Sequence, residues 1–127
     1  MDVLKTVHMN ELFDFYGQLL TERQRAVFRR YYHEDLSLAE IGEEFDISRQ
    51  AVHDVLRRCE QTLQQLESKL GLVARHRRQQ ALLARLEAEL TRLAAAVGHE
   101  AVAPLAEPLD AWRRELGLDP GDAGSEP

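Results

Sequence analysis

The sequence contains a single cysteine and no long apolar run. One cysteine in 127 residues excludes an internal disulfide and is typical of a protein in a reducing cytosol. No apolar stretch approaches the roughly 20 residues that a membrane-spanning helix needs. The first residues, MDVLKTVHMNELFDF, carry acids where a secretory signal has a basic start and an unbroken apolar core. We therefore expect a cytoplasmic protein that does not insert into membranes.

Patterns that indicate catalysis or cofactor binding are also missing. The five histidines do not recur at metal-ligand spacing with one another or with Cys59. The sequence has no glycine-rich phosphate loop and no strand pattern. Its many acidic residues fall on helix faces that we expect to be exposed, where no pocket adapts them for acid–base chemistry. The sequence predicts no catalytic residue, no metal, no cofactor and no small-molecule substrate.

A surplus of basic residues is absent as well. The formal net charge is −6, with 44% hydrophobic and 30% charged residues, as expected of one globular domain, alone or with an extension. Dedicated DNA-binding proteins usually carry a basic surplus or a concentrated basic face. We expect any DNA affinity to be modest and sensitive to salt, because few phosphates can be neutralised.

The most informative segment is SLAEIGEEFDISRQAVHDVLRR, Ser37 to Arg58, which predicts two helices joined by a tight turn. Ser37 and Glu40 have the spacing of a capping box at the start of the first helix. Ser48 is placed to cap the second helix. Apolar residues at helical spacing form the inner faces of the pair: Leu38, Ile41 and Phe45, then Val52, Val55 and Leu56.

Two residues near the turn favour a helix-turn-helix. Gly42 falls inside a helix, where glycine costs roughly 1 kcal/mol relative to alanine, and close approach of the second helix would explain it. Asp46 falls at the bend and tolerates the left-handed backbone that such turns often need. In DNA-binding units of this kind, the second helix enters the major groove by its N-terminal residues. The predicted DNA contacts, whose side chains suit guanine, adenine or phosphate, are Ser48, Arg49, Gln50, His53, Arg57 and Arg58.

Two heptad patterns extend beyond the helix-turn-helix. The first runs from Ser48 and ends at Gly71, and the second runs from Gln79 to Val97 and is followed by Gly98. Both glycines are typical of a helix C-cap. Cys59 lies on the first pattern, so we interpret it as a small buried apolar residue. The wide apolar surface predicts a homodimer. The residues of this dimer or core seam are Leu63, Leu66, Leu70, Leu83, Leu86, Leu90 and Leu93.

Basic residues are concentrated in two places. Thr21 and Gln24 predict a capped helix to about Tyr32 that carries Arg23, Arg25, Arg29 and Arg30. These arginines either pair with acids of the domain or clamp a phosphate backbone. A second cluster opens the second heptad segment, where cations oppose the helix macrodipole. It either pairs with acids such as Glu67 or binds RNA, DNA or an acidic protein surface through Arg75, Arg77 and Arg78.

These patterns predict four regions. Residues 1–72 form the helix-turn-helix domain, residues 73–98 a helical and dimerising extension, and residues 99–116 a linker and a short helix. Residues 117–127 contain Gly, Pro and acidic residues with almost nothing to bury, which predicts a disordered tail.

The segment LTERQRAVFRRYYHEDLSLAEIGEEFDISRQAVHDVLRR resembles the part of bacterial sigma factors that recognises the −35 promoter element. The chain is more closely similar to the YlxM family, which shares the helix before LTERQ, the paired tyrosines and ISRQAVHD, over about residues 8–72. The resemblance implies an all-helical and often dimeric protein without the polymerase-binding part of a sigma factor. In that family the gene lies beside those of the signal recognition particle, which implies an accessory or regulatory role in protein targeting.

We therefore predict an all-α fold: a sigma region 4-like helix-turn-helix domain with a long recognition helix and a coiled-coil-like C-terminal extension. The leading functional hypothesis is a dimeric DNA-binding regulator or accessory of the signal recognition particle pathway. The alternative is a module that binds the RNA or protein of that particle through its basic extension, with little DNA binding. A purely structural dimer is the third hypothesis.

Overall fold

A computed structural model describes residues 2–117, and this part of the chain is helical with short turns. It has seven α-helices: α1 Val3–Tyr16, α2 Glu22–Tyr32, α3 Leu38–Phe45, α4 Arg49–Leu70, α5 Leu72–Val97, α6 His99–Val102 and α7 Ala106–Glu115. Short 3-10 helices cover Gly17–Leu19 and Ala103–Leu105. The predicted all-α fold is confirmed. In the described range no helix is long and apolar enough to cross a bilayer.

The chain divides into two compact units, Met1–Val73 and the residues from Ala74 onward. In the first unit α4 is the central helix, since α1, α2 and α3 all pack against it. The rings of Phe13 and Phe28 stack 4.5 Å apart beside this helix. Cys59 is fully buried, as predicted, and burial raises the pKa of its thiol to about 12. The core thus holds α4 from three sides and leaves its N-terminal turns at one edge.

The start of α3 and the turn between α3 and α4 both have the predicted chemistry. The Ser37 hydroxyl accepts a hydrogen bond from the Glu40 N–H at 3.1 Å, and the Glu40 carboxylate accepts one from the Ser37 N–H at 3.0 Å. Asp46 adopts the left-handed conformation, with φ of 55°. A Cβ at Gly42 would lie 2.6 Å from the Ile47 carbonyl oxygen, so the turn itself excludes a side chain there. These contacts fix the start of α4 relative to α3.

The α4 helix ends at Gly71, which is left-handed with φ of 63°, as expected of a C-cap. The first N–H groups of α5 have no partner within their own helix. The Tyr16 hydroxyl accepts the hydrogen bond of the Leu72 N–H at 3.0 Å, and the Glu67 carboxylate accepts that of the Val73 N–H at 3.0 Å. Tyr16 in turn donates to Glu67 at 2.6 Å. The first unit therefore caps the beginning of α5.

The second unit differs from the sequence prediction after Val97. Residues 99–116 were expected to form a linker and a short helix, but the helical structure begins at once, with α6, a 3-10 turn and then α7. Pro104 and Pro108 are compatible with these helices because each lies in a first turn, where its missing N–H leaves no bond unmade. Arg113 of α7 forms an ion pair with Glu87 of α5. The predicted tail falls almost wholly on residues 118–127, outside the described part.

The predicted seam residues differ in their burial. Leu63 and Leu83 are buried, and Leu66 and Leu90 are half-buried. The other three remain exposed in the single chain: Leu70 by 56%, Leu86 by 42% and Leu93 by 47%.

Candidate nucleic-acid interface

The first turns of α4 form the exposed edge of the helix-turn-helix. The Ser48 hydroxyl accepts a hydrogen bond from the Ala51 N–H at 3.0 Å and so caps the helix. Arg49, His53 and Arg57 follow at intervals of four residues and therefore share one helix face. All six predicted contact residues are exposed: Ser48, Arg49, Gln50, His53, Arg57 and Arg58. Ser48 is the N-cap of α4 and the other five lie on this helix, with Arg58 about 180° around it from Arg49.

Asp54 engages two of these residues, which the sequence analysis did not anticipate. The Gln50 side-chain amide donates a hydrogen bond to Asp54 Oδ1 at 3.1 Å. His53 Nδ1 lies 3.8 Å from the same oxygen. The i, i+4 spacing of Gln50 and Asp54 is a signal that could have predicted the first contact. The Gln50 side chain must break this hydrogen bond to Asp54 before its amide oxygen and nitrogen can both contact a base.

The arginines of α2 are mostly engaged within the first unit. Arg25 donates hydrogen bonds to the carbonyl oxygens of Gln18 and Leu20, at 3.3 and 2.8 Å. The Arg29 guanidinium carbon lies 5.4 Å from the centroid of the Phe13 ring, within cation–π range.

Arg30 is the most fully paired of them. Its Nε donates to both carboxylate oxygens of Glu44 at 3.0 Å, and its Nη1 donates to Glu34 at 2.8 Å. These hydrogen bonds, to Glu44 first, raise the pKa of the Arg30 guanidinium. The interpretation that α2 arginines pair with acids of the domain is confirmed for Arg30.

The arginines of α4 have a different environment. Within residues 2–117, Arg49, Arg57 and Arg58 make no ion pair. No acid of the neighbouring helix α3 forms an ion pair with them: Glu44 pairs with Arg30, and Glu40 accepts the capping hydrogen bond of Ser37. The Ser37 N–H, and then its hydroxyl, lower the pKa of the Glu40 carboxyl. The α4 arginines therefore remain available to an external anion.

The second basic cluster lies in the first two turns of α5. Arg75, Arg77 and Arg78 are all exposed. Arg77 has an interaction partner within the chain. The sequence placed this cluster at a helix start; the helix begins earlier, at Leu72, so the cations lie within it.

A cleft of about 450 Å³, which was not predicted from the sequence, lies beside the middle of α4. The Tyr32 hydroxyl donates to the Glu60 carboxylate at 2.7 Å, and Lys5 Nζ lies 3.3 Å from the same group. His53 and Arg57 line the cleft as well as the exposed edge of α4. The cleft joins α1, α2, α3 and α4, so no local sequence pattern reveals it.

A family model for YlxM / p13-like helix-turn-helix proteins, UPF0122, matches residues 3–99. The chain belongs to the UPF0122 family. It is 48% identical over 88 residues to a UPF0122 protein of Listeria monocytogenes serotype 4b, covering 69% of this chain and 80% of the relative. It is 51% identical over 94 residues to one of Symbiobacterium thermophilum, covering 74% and 88%. One of Bacillus thuringiensis is 52% identical over 83 residues, covering 65% and 76%.

The UPF0122 match includes all three surfaces of interest. It spans α1 to α5, and so contains the helix-turn-helix, the cleft and the basic cluster of α5. The α7 helix lies beyond it. The family is one of helix-turn-helix proteins and not a family of enzymes. The recognition made from the sequence motifs is confirmed.

Proposed function

We propose that this UPF0122 protein binds double-stranded DNA through the first turns of α4 and acts in the cytoplasm as a regulator or accessory of the signal recognition particle pathway. The observation that carries the proposal is the contrast in arginine pairing. Three exposed arginines of the second helix of a helix-turn-helix make no ion pair in the described range, although acidic residues lie nearby on α3. A helix presented to the major groove needs such cations.

The side chains of α4 suit a division of roles on DNA. Arg49, in the first turn, suits the O6 and N7 atoms of guanine, and Gln50 suits adenine after release from Asp54. Arg57 and Arg58, two turns later, suit phosphates. With few cations available and a net charge of −6, we expect modest affinity that falls steeply with salt.

The test is fluorescence anisotropy of the purified protein with the duplex upstream of its own gene, at two salt concentrations. Arg49→Ala combined with Gln50→Ala should abolish sequence-dependent binding and leave the melting temperature unchanged. Arg85→Ala is the control, because Arg85 is equally exposed but lies on α5. Unchanged duplex binding by the double variant would reject this face.

The basic cluster of α5 supports a second candidate function, binding of the RNA or protein of the signal recognition particle. Arg75 and Arg78 are exposed and make no ion pair among residues 2–117. Replacing Arg75, Arg77 and Arg78 by alanine should then remove binding of the particle RNA, whereas Arg49→Ala should not. Persistent RNA binding by the triple variant would refute this role.

We also propose that the protein is a homodimer through α5. Leu82, Leu86, Leu93 and Val97 are exposed in the single chain and lie within about a sixth of the helix circumference. Leucines at such spacing are typical of helix pairing. Leu86→Glu with Leu93→Glu should give a monomer in sedimentation analysis. If the double variant were still a dimer, the contact between the two copies would lie outside this face of α5.

A further inference from the structure

The cleft beside α4 has the size and the chemistry of a ligand site. Its volume of about 450 Å³ is within the range of roughly 300–1,000 Å³ found for small-molecule sites. Every residue that lines it belongs to the first unit, and the unit's core packing holds the surrounding helices. The cleft is therefore a feature of one folded body.

The walls of the cleft combine apolar and aromatic surface. Leu38 and Leu56 supply apolar contacts, and Tyr31 is half-buried with its ring in edge contact with Tyr32, at a centroid distance of 4.9 Å. Tyr32 is held by its hydrogen bond to Glu60, and burial, followed by this bond, raises the pKa of its phenol. The aromatic pair thus gives the cleft a surface on which a planar ring can stack.

The charges of the cleft favour an anion. Its one carboxylate, Glu60, has a side chain only 20% exposed and is already bound by Tyr32 and Lys5. Arg57 on the rim makes no ion pair within the described residues. The amides of Gln61 and Gln64 add donors and acceptors that can meet the edge of a base.

We propose that this cleft binds a small aromatic anion of the nucleotide class, its ring on Tyr31 and its phosphate on Arg57. The ligand is bound and not transformed. Arg57 and His53 belong both to the cleft and to the DNA-binding face proposed above, so an occupied cleft withholds them from DNA. Ligand and duplex then weaken each other reciprocally. The coupling rests on the proposed DNA binding; the site itself does not.

The site is tested first by isothermal titration calorimetry without DNA, using the four nucleoside monophosphates, ribose 5-phosphate and inorganic phosphate. At least one nucleoside monophosphate should bind saturably, and inorganic phosphate should not. Tyr31→Leu should weaken binding by about tenfold, because base stacking on an aromatic side chain is lost, whereas Tyr31→Phe should preserve it. Absence of saturable binding, or binding indifferent to Tyr31→Leu in a folded variant, overturns the site.

Two adjacent arginines provide the matched control. Arg57 lines the cleft, whereas Arg58 is equally exposed and does not. Arg57→Ala should weaken nucleotide binding and Arg58→Ala should leave it unchanged; equal effects would refute the assigned phosphate position.

Duplex titration with and without the bound nucleotide tests the coupling. A lower duplex affinity supports it, and an unchanged affinity rejects it. If no duplex binds at all, the proposed function fails while calorimetry still decides the site.

Discussion

The α2 and α4 helices both carry arginines, but three of the four in α2 are engaged within the first unit, whereas those of α4 remain open to an external partner. In α2, Arg25 holds backbone carbonyl groups, Arg29 covers an aromatic ring and Arg30 pairs with two glutamates. In α4, Arg49, Arg57 and Arg58 make no ion pair within residues 2–117. The engaged arginines of α2 therefore stabilise the fold, whereas the arginines of α4 leave positive charge available to an external partner.

This contrast explains how an acidic protein can present a basic face. The net charge of −6 sums over the whole chain and says nothing about which acids are already paired. On α3, Glu44 is occupied by Arg30, and Glu40 is occupied by the backbone of Ser37. Charge availability at the N-terminal turns of α4 is a local property, and the whole-chain balance underestimates it.

The strongest test removes the arginine charges of α4 in one variant and those of α2 in another. Arg49, Arg57 and Arg58 changed together to Gln should abolish duplex binding at moderate salt without lowering the melting temperature. With partial replacements, each lost phosphate contact should reduce the slope of log affinity against log salt by about 0.9. The same change at Arg25, Arg29 and Arg30 should lower the melting temperature and leave the duplex affinity of the folded protein nearly unchanged.

Anisotropy at several salt concentrations, with thermal unfolding followed by circular dichroism, measures both effects. If the α2 variant lost duplex affinity while folded, these arginines would be phosphate contacts after all, and the contrast between the helices would disappear.

A second test concerns the turn that presents α4. Gly42→Ala should destabilise the protein by roughly 1–2 kcal/mol, because a methyl group cannot fit 2.6 Å from the Ile47 carbonyl oxygen. Helix propensity alone predicts the opposite sign, a gain of about 1 kcal/mol for alanine over glycine. Urea unfolding decides between them; a stabilised variant would show that the turn adjusts freely and does not fix the α4 arginines.

The sequence predicted the elements whose signals are local. The capping boxes, the left-handed Asp46 and the burial of Cys59 each depend on residues close in the chain or on one apolar face, and the structure has them all. Gly42 is crowded as expected, but by the Ile47 carbonyl of the turn and not by the second helix. The linker prediction failed because proline interrupts a helix only when it lies in the helix interior. Pro104 and Pro108 lie in first turns, where proline is tolerated.

Contacts between distant segments could not be predicted in this way. Glu60 meets Tyr32 and Lys5 only because three helices converge, and the cleft follows from that convergence. Heptad spacing has the same limit. It predicted α4 and α5 equally well, yet Leu63 is buried while Leu86 and Leu93 are exposed, because spacing identifies a helix face and not what covers it.

Removing one of the two partners of Arg30 should make α2 behave more like α4. Glu44→Gln deletes an acid of α3 and leaves the Arg30 guanidinium paired with Glu34 alone, so duplex affinity should rise by about threefold. Glu115→Gln is the control, since it makes the same charge change on α7. Anisotropy at low salt detects a difference of this size; an equal gain in both variants would reflect net charge alone and remove any special role of the Arg30 pair.

The smallest effect concerns Glu40, the other occupied acid of α3. Its pKa is lowered in the folded protein, first by the Ser37 N–H and then by the Ser37 hydroxyl. A carboxyl with a lowered folded pKa stabilises the protein above its ordinary, unfolded pKa, and this contribution is lost as the pH falls through the folded value. Glu40→Gln keeps the hydrogen bond, as Gln24 does in the equivalent box with Thr21, but cannot titrate. The stability difference between wild type and Glu40→Gln, from urea unfolding at several pH values, should be constant near neutrality and should shrink below about pH 4.5, the ordinary value. A difference that persisted unchanged at lower pH would mean that the carboxylate is not held by the cap.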